Sequence, residues 1–192
     1  MQDADSPNYF RTTLLFEAAL GAAACLLGWL VGLAPWQAFA WRWEDVLWGI
    51  VATAPAVALL LLTSWVRRGP LDRLNRLVDQ IAQSLFGRCT LVQLALIALA
   101  AGVGEELMFR GFLQPLLSRY LGPTAALFIA SLAFGLAHAL SKTYALLATL
   151  IGVYLGLLWL VFDNLLVPTA VHALYDFIAL VYLLRLRDQQ KS

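Results

Sequence analysis

Hydrophobic positions come in long blocks along this chain. Six apolar runs occupy positions 14–34, 46–66, 91–117, 123–140, 144–162 and 167–184. Each is close to the ~20 residues that cross a bilayer core as a helix, or longer. The predicted fold is therefore all-α, a polytopic transmembrane bundle of about six spans. The third run exceeds a single crossing and carries charges in its second half.

The polar interval at 67–89 has its own pattern. After Pro70, residues Leu71, Leu74, Leu77, Val78, Ile81 and Leu85 fall on one helical face, and Asp72, Arg73, Arg76, Asp79, Gln80 and Gln83 on the other. That spacing predicts an amphipathic helix at the bilayer surface. A connector helix packed on the protein is the alternative.

Composition sharpens the class. Of 192 residues, 61% are hydrophobic and 13% charged, with mean hydropathy +0.77; soluble domains hold about 45–50% and about 25%. A net charge of +1 gives no basic field that would favour nucleic acid. Cys25 and Cys89 form no CxxC or metal-ligand spacing and are expected to be free, buried thiols. Residues 1–11 are polar and acidic, lacking the basic start and small-residue cleavage site of a secretory signal. The first apolar run is therefore expected to stay as an anchor. There is no internal repeat.

Lys and Arg set the expected orientation. Arg67, Arg68, Arg73, Arg76 and Arg88 follow the second run, Lys142 the fourth, and Arg185, Arg187 and Lys191 the sixth; Arg42 and Arg119 lie on the opposite side. Both termini are predicted cytoplasmic, in an integral membrane protein of the bacterial inner membrane. Trp36, Trp41, Trp43, Trp48 and Trp65 lie near run ends, as an interfacial aromatic belt would.

Ionisable groups in a bilayer are unfavourable by about 2.5–3.5 kcal/mol each on insertion scales, so those present are paired or used. Glu106 and Arg110 are four apart and can pair, which leaves Glu105 without a local partner. Phe134 and His138 share a face, as do His172 and Asp176 after Pro168. The midpoint of positions 105 and 138 falls at the Gly122-Pro123 turn, so Glu105 and His138 are predicted level on neighbouring antiparallel helices. One Glu, two His and one Asp converging in a bundle would suit activation of water. Straight helices do not complete that picture, because they put His172 near the wrong end. Either a helix breaks, with Gly102 and Gly104 as the candidates, or the segment 163–167 dips into the protein. Glu17 is expected near the membrane surface or hydrogen-bonded in the bundle, Met108 and Phe109 in packing, and Tyr175 beside the site.

These residues carry a resemblance. Glu-Glu-x-x-x-Arg, Phe-x-x-x-His and His-x-x-x-Asn/Asp, in this order on three apolar helices, resemble the CAAX-protease and bacteriocin-processing (CPBP or Abi) family of intramembrane peptidases, over about residues 91–184. The resemblance implies an endopeptidase acting on membrane-associated peptides. Glu105 and His138 would activate water, and His172 and Asp176 would stabilise the oxyanion or assist. Glu106 and Arg110 would be the ion pair that fixes the first motif helix, with Phe134 supporting. The division that follows is 1–90 for two spans and the surface helix, 91–185 for the catalytic core and 186–192 for a cytoplasmic tail.

Where Asn is common in the family, this chain has Asp176. An amide can donate to an oxyanion, whereas an ionised Asp can orient His172 or ligate a metal. No cofactor is favoured; zinc held by Glu105, His138, His172 and Asp176 is the alternative. The expected partners are the lipid bilayer and a membrane-associated peptide. The competing functions are a catalytically inactive scaffold or bacteriocin self-immunity protein of the same fold, and a proton-coupled transporter.

Overall fold

The computed structural model describes residues 9–186. Residues 1–8 of the polar start, and Arg187 and Lys191 with the rest of the tail, lie outside the described residues. Eight helices follow one another: α1 (Tyr9–Leu30), α2 (Trp43–Ala52), α3 (Ala54–Trp65), α4 (Gly69–Phe86), α5 (Leu91–Glu106), α6 (Gln114–Ala137), α7 (Lys142–Phe162) and α8 (Leu166–Val181). A 3₁₀ turn, Pro35–Ala38, follows α1; a π-helical segment, Leu107–Leu113, joins α5 to α6; a second π turn, Tyr182–Leu186, ends α8. There is no strand among the described residues.

Five helical stretches are long and apolar enough to cross a membrane. One of them, Leu91–Ala137, runs 47 residues, about 70 Å at ~1.5 Å per residue and so about twice a bilayer core. Gly122 resolves the excess. It has φ 78° and ψ 164°, open to glycine and closed to most other residues, and Pro123 withholds the next N–H. The stretch folds back there into two crossings, which makes six among the described residues. The protein is an all-α integral membrane protein.

Local chemistry marks the ends. α1 stops short of the expected boundary because Gly32 turns into the left-handed region (φ 70°) and Pro35 follows. Arg119 donates to the carbonyls of Val31 and Gly32 (2.8 and 2.9 Å), which the end of α1 leaves free. α5 opens with a capping box: Thr90 Oγ1 accepts from the Gln93 N–H, and Gln93 Oε1 accepts from the Thr90 N–H.

α4 is the amphipathic helix expected from 67–89. Its apolar face packs on the bundle, where Ala82 joins Cys89, Leu94, Ile97, Leu183 and Leu184 in one buried cluster. Arg67, Arg68, Arg73 and Arg76 are exposed. Asn75 ties it to α3 by donating to the carbonyls of Thr63 and Val66 (3.1 and 3.4 Å). Both cysteines are free; Cys89 is buried and Cys25 half-buried.

Candidate active site

The pairing of α5 with α8, and of the outgoing half of α6 with α7, brings the three motifs together. Gly102 and Gly104 do not break α5, contrary to one of the two expectations; the helix runs through both to Glu106. They act as contact points instead. A Cβ on Gly102 would lie 3.0 Å from the backbone N of Ala173, so α8 crosses α5 closely one residue from His172.

The other expectation describes the chain. After α7, Asp163 takes a left-handed conformation (φ 47°), and the chain turns inward so that Leu165 comes level with Gly111. The segment is buried, with Asn164 1% and Leu165 0% exposed. Asn164 holds it there. Its Nδ2 donates to Ala40 O (2.7 Å) and Asp45 Oδ2 (2.6 Å), and its Oδ1 accepts from the N–H groups of Ala40 (2.9 Å) and Leu166 (3.1 Å). The Leu165 N–H donates to Ala38 O (2.8 Å). α8 therefore starts deep in the protein, and His172, in its second turn, reaches the level of Glu105.

Glu105 Oε2 lies 3.4 Å from His138 Nε2 and 3.9 Å from His172 Nε2, and His172 Nε2 lies 3.6 Å from Asp176 Oδ2. Glu105 Oε2 is buried without a hydrogen-bond partner. Both imidazoles are fixed from behind. His138 Nδ1 donates to Phe134 O (2.9 Å), which as a carbonyl can only accept. His172 Nδ1 lies 2.9 Å from Glu106 Oε1. In each ring the Nε2 edge is left facing Glu105.

Glu106 therefore does more than pair with Arg110. Its Oε1 meets both Arg110 Nη1 (2.6 Å), the expected ion pair, and His172 Nδ1 (2.9 Å). Glu106 is 0% and Arg110 1% exposed. The π segment that follows widens the helix at this point and lets Arg110 Nη2 also reach Gly152 O on α7 (2.9 Å). Phe134 is the common wall. Its ring centroid is 4.4 Å from that of His138 and 5.8 Å from that of His172, and the Arg110 guanidinium sits over it at 4.6 Å. Phe109 packs edge-on against it at 5.1 Å, as expected of a packing residue.

A cavity of about 300 Å³ opens onto the cluster. His138, His172 and Asp176 line it together with Tyr144 and Tyr175, and mainly apolar residues of α3, α4, α7 and α8 complete the lining. Two residues that sequence reasoning did not place, and one that it placed loosely, stand out. Asn164 and Asp45 form the clasp described above, and only the polar break after Phe162 hinted at it. Glu17, on α1, is buried and turned into the bundle.

Zinc would have Glu105, His138, His172 and Asp176 as its donors. Among the described residues, however, no three His, Cys, Asp or Glu side chains are arranged to hold a metal ion.

Residues 87–178 match the family model described as Rce1-like, type II CAAX prenyl endopeptidase. The matched segment is just under half the chain and contains Glu105, Glu106, Arg110, Phe134, His138, His172 and Asp176. No curated protein and no solved structure matches. With the three motifs in order inside that segment, residues 87–178 are similar to the Rce1-like family of CAAX-type membrane proteases.

Proposed function

We propose that this protein is an intramembrane endopeptidase that hydrolyses a peptide bond of a membrane-associated peptide, with Glu105 and His138 activating the water. One observation carries the reading: a buried Glu105 oxygen with no hydrogen-bond partner faces the Nε2 edges of two histidines fixed from behind, at the end of a cavity. Orphaned buried acceptors of this kind are where ordered water binds.

The steps follow from the donors and acceptors. Water held by Glu105 and His138 gives a proton to the Glu105 carboxylate as its oxygen attacks the scissile carbonyl carbon. Negative charge then develops on the carbonyl oxygen. His172, with Nδ1–H held by Glu106, can present a second N–H at Nε2 when it is an imidazolium, and that N–H would meet the oxyanion. Asp176 is acceptor-only when ionised, so its role is to orient and neutralise the His172 cation. Glu105 returns the proton to the leaving amine as the C–N bond breaks. One water is consumed, and a carboxyl and an amine product form.

The cavity suits an apolar substrate. Its lining is mainly aliphatic, with Thr63, Ser64 and Asn75 of α3 and α4 as polar members besides the histidines, tyrosines and Asp176. The Lys and Arg distribution supports termini on the cytoplasmic side of a bacterial inner membrane. Residues 1–90 would serve as wall and anchor for a catalytic core at 91–185.

The reading is tested with purified full-length protein in lipid nanodiscs and a fluorogenic prenylated peptide ending in a CAAX sequence. Cleavage should appear and should survive exhaustive chelation. Activity lost on chelation and restored by stoichiometric zinc would overturn the metal-free mechanism. No cleavage of this or any acyl-anchored peptide would overturn the peptidase reading.

A further inference from the structure

α1 brings to the cluster a carboxyl group that none of the three motifs contains. Glu17 is 6% exposed, and its Oε2 is buried without a hydrogen-bond partner. α1 crosses α5 where Gly21 meets Gly104; a Cβ on Gly21 would lie 3.5 Å from Gly104 Cα. A Cβ on Gly104 would lie 2.5 Å from Glu17 O and 3.2 Å from Glu17 Oε2. The Glu17 carboxyl group thus rests on the α5 backbone one residue before Glu105. It is within electrostatic reach of Glu105, His138, His172 and Asp176.

Charge balance limits what this group can be. Even with His138 and His172 both counted as imidazolium, those two rings and Arg110 only just match the three carboxylates Glu105, Glu106 and Asp176. A fourth ionised carboxylate would leave one negative charge uncompensated in a buried site, which is strongly unfavourable. A neutral acid avoids that and gains an O–H donor. Glu105 Oε2, the nearby acceptor, is itself without a partner.

We propose that Glu17 is a positioning residue of the water site: a protonated carboxylic acid that donates toward Glu105, directly or through one water, and so fixes the oxygen that takes the proton. Its own proton stays in place through the reaction, because the proton moved in hydrolysis runs from water to Glu105 to the leaving amine. The inference rests on the peptidase reading above for its catalytic consequence, but not for the protonated acid itself.

The experiment compares wild type, Glu17→Gln and Glu17→Leu as full-length protein in nanodiscs. It reads kcat and KM on the prenylated CAAX peptide, together with an infrared difference spectrum of wild type minus Glu17→Gln. The amide of Gln also donates, so Glu17→Gln should keep kcat within about twofold. Glu17→Leu should lose about tenfold in kcat, the size of one hydrogen bond, with KM unchanged. Glu17→Ala replaces the Leu variant if that one does not fold. The difference spectrum should contain the carbonyl stretch of a protonated carboxylic acid. Wild-type kcat in the apolar variants, or Glu17→Gln as impaired as Glu17→Leu, would overturn the positioning role. Absence of the infrared band would overturn the protonated acid. If the wild type cleaves nothing, the peptidase reading falls by itself, and the band still decides whether Glu17 holds a proton.

Discussion

In the 91–137 stretch, 50% of the most apolar window is buried inside the protein, and in the final stretch, Leu166–Arg185, 39%. For Trp43–Trp65 the figure is 17%, and for α1 it is 22%. α7, at 22%, sides with the early helices; these three stretches are at least as apolar as α5, α6 and α8, yet they use that character differently. The early helices turn large side chains such as Trp29, Leu62 and Trp65 outward. α5, α6 and α8 enclose Glu106, Arg110, Gln114 and His172. Groups of that kind need protein neighbours in place of lipid, since lipid offers no hydrogen bonds. The region rich in ionisable groups is therefore the region with most enclosure. The lipid-facing region still adds one inward polar contact from each of two helices, Glu17 on α1 and Asp45 on α2.

The comparison makes graded predictions, and the largest is chemical. His138→Gln removes the imidazole that holds the water beside Glu105 while keeping a polar side chain, and should lower kcat by about 10²–10⁴-fold, the range that general-base catalysis contributes. A peptidase assay showing less than a twofold change would remove His138 from the water site.

Next comes Glu106→Gln. It leaves Arg110 with an uncompensated buried charge and His172 Nδ1 without its carboxylate. Breaking a buried pair typically destabilises by about 3–5 kcal/mol. Thermal unfolding in detergent should show a large loss, and the folded remainder should also hydrolyse more slowly. A variant as stable as wild type would mean that the pair does not hold this region together.

Asn164→Ala should cost about 1–3 kcal/mol, because it strands the Asp45 carboxylate and the backbone groups of Ala40. By loosening the start of α8 it should also raise the hydrogen exchange of residues near His172. Unchanged exchange there would break the claim that the clasp sets His172's depth. The smallest effect belongs to the surface. Arg76→Ala, which removes the exposed Asp72–Arg76 pair on α4, should change stability by less than about 1 kcal/mol. A larger loss would show that the polar face of α4 is packed and not solvated.

Much of this architecture is legible in the amino-acid sequence. Run lengths and the Gly122-Pro123 turn are local signals, and they predict the spans and the level placement of Glu105 and His138. The i,i+4 rule finds Glu106 with Arg110 for the same reason. What is not legible depends on distant contacts. The depth of His172 follows from Asn164 meeting Ala40 and Asp45, across more than a hundred residues, and no periodicity encodes that. The bond from Glu106 to His172 joins two helices whose rotation about their own axes is hidden, because both are apolar nearly all round. Glu17 shows as an anomaly in an apolar helix, but which way it faces follows from the Gly21–Gly104 crossing. The π segment at Leu107–Leu113 carries no sequence mark that sets it apart.

The account's central claim is that Glu105 does chemistry while its neighbours Glu106 and Arg110 hold structure. The most direct measurement is Glu105→Gln beside wild type in nanodiscs, with product formation followed by mass spectrometry and stability by thermal unfolding. The account predicts an unfolding transition like that of wild type and no detectable cleavage. Cleavage at the wild-type rate, or a variant that fails to fold, would contradict it.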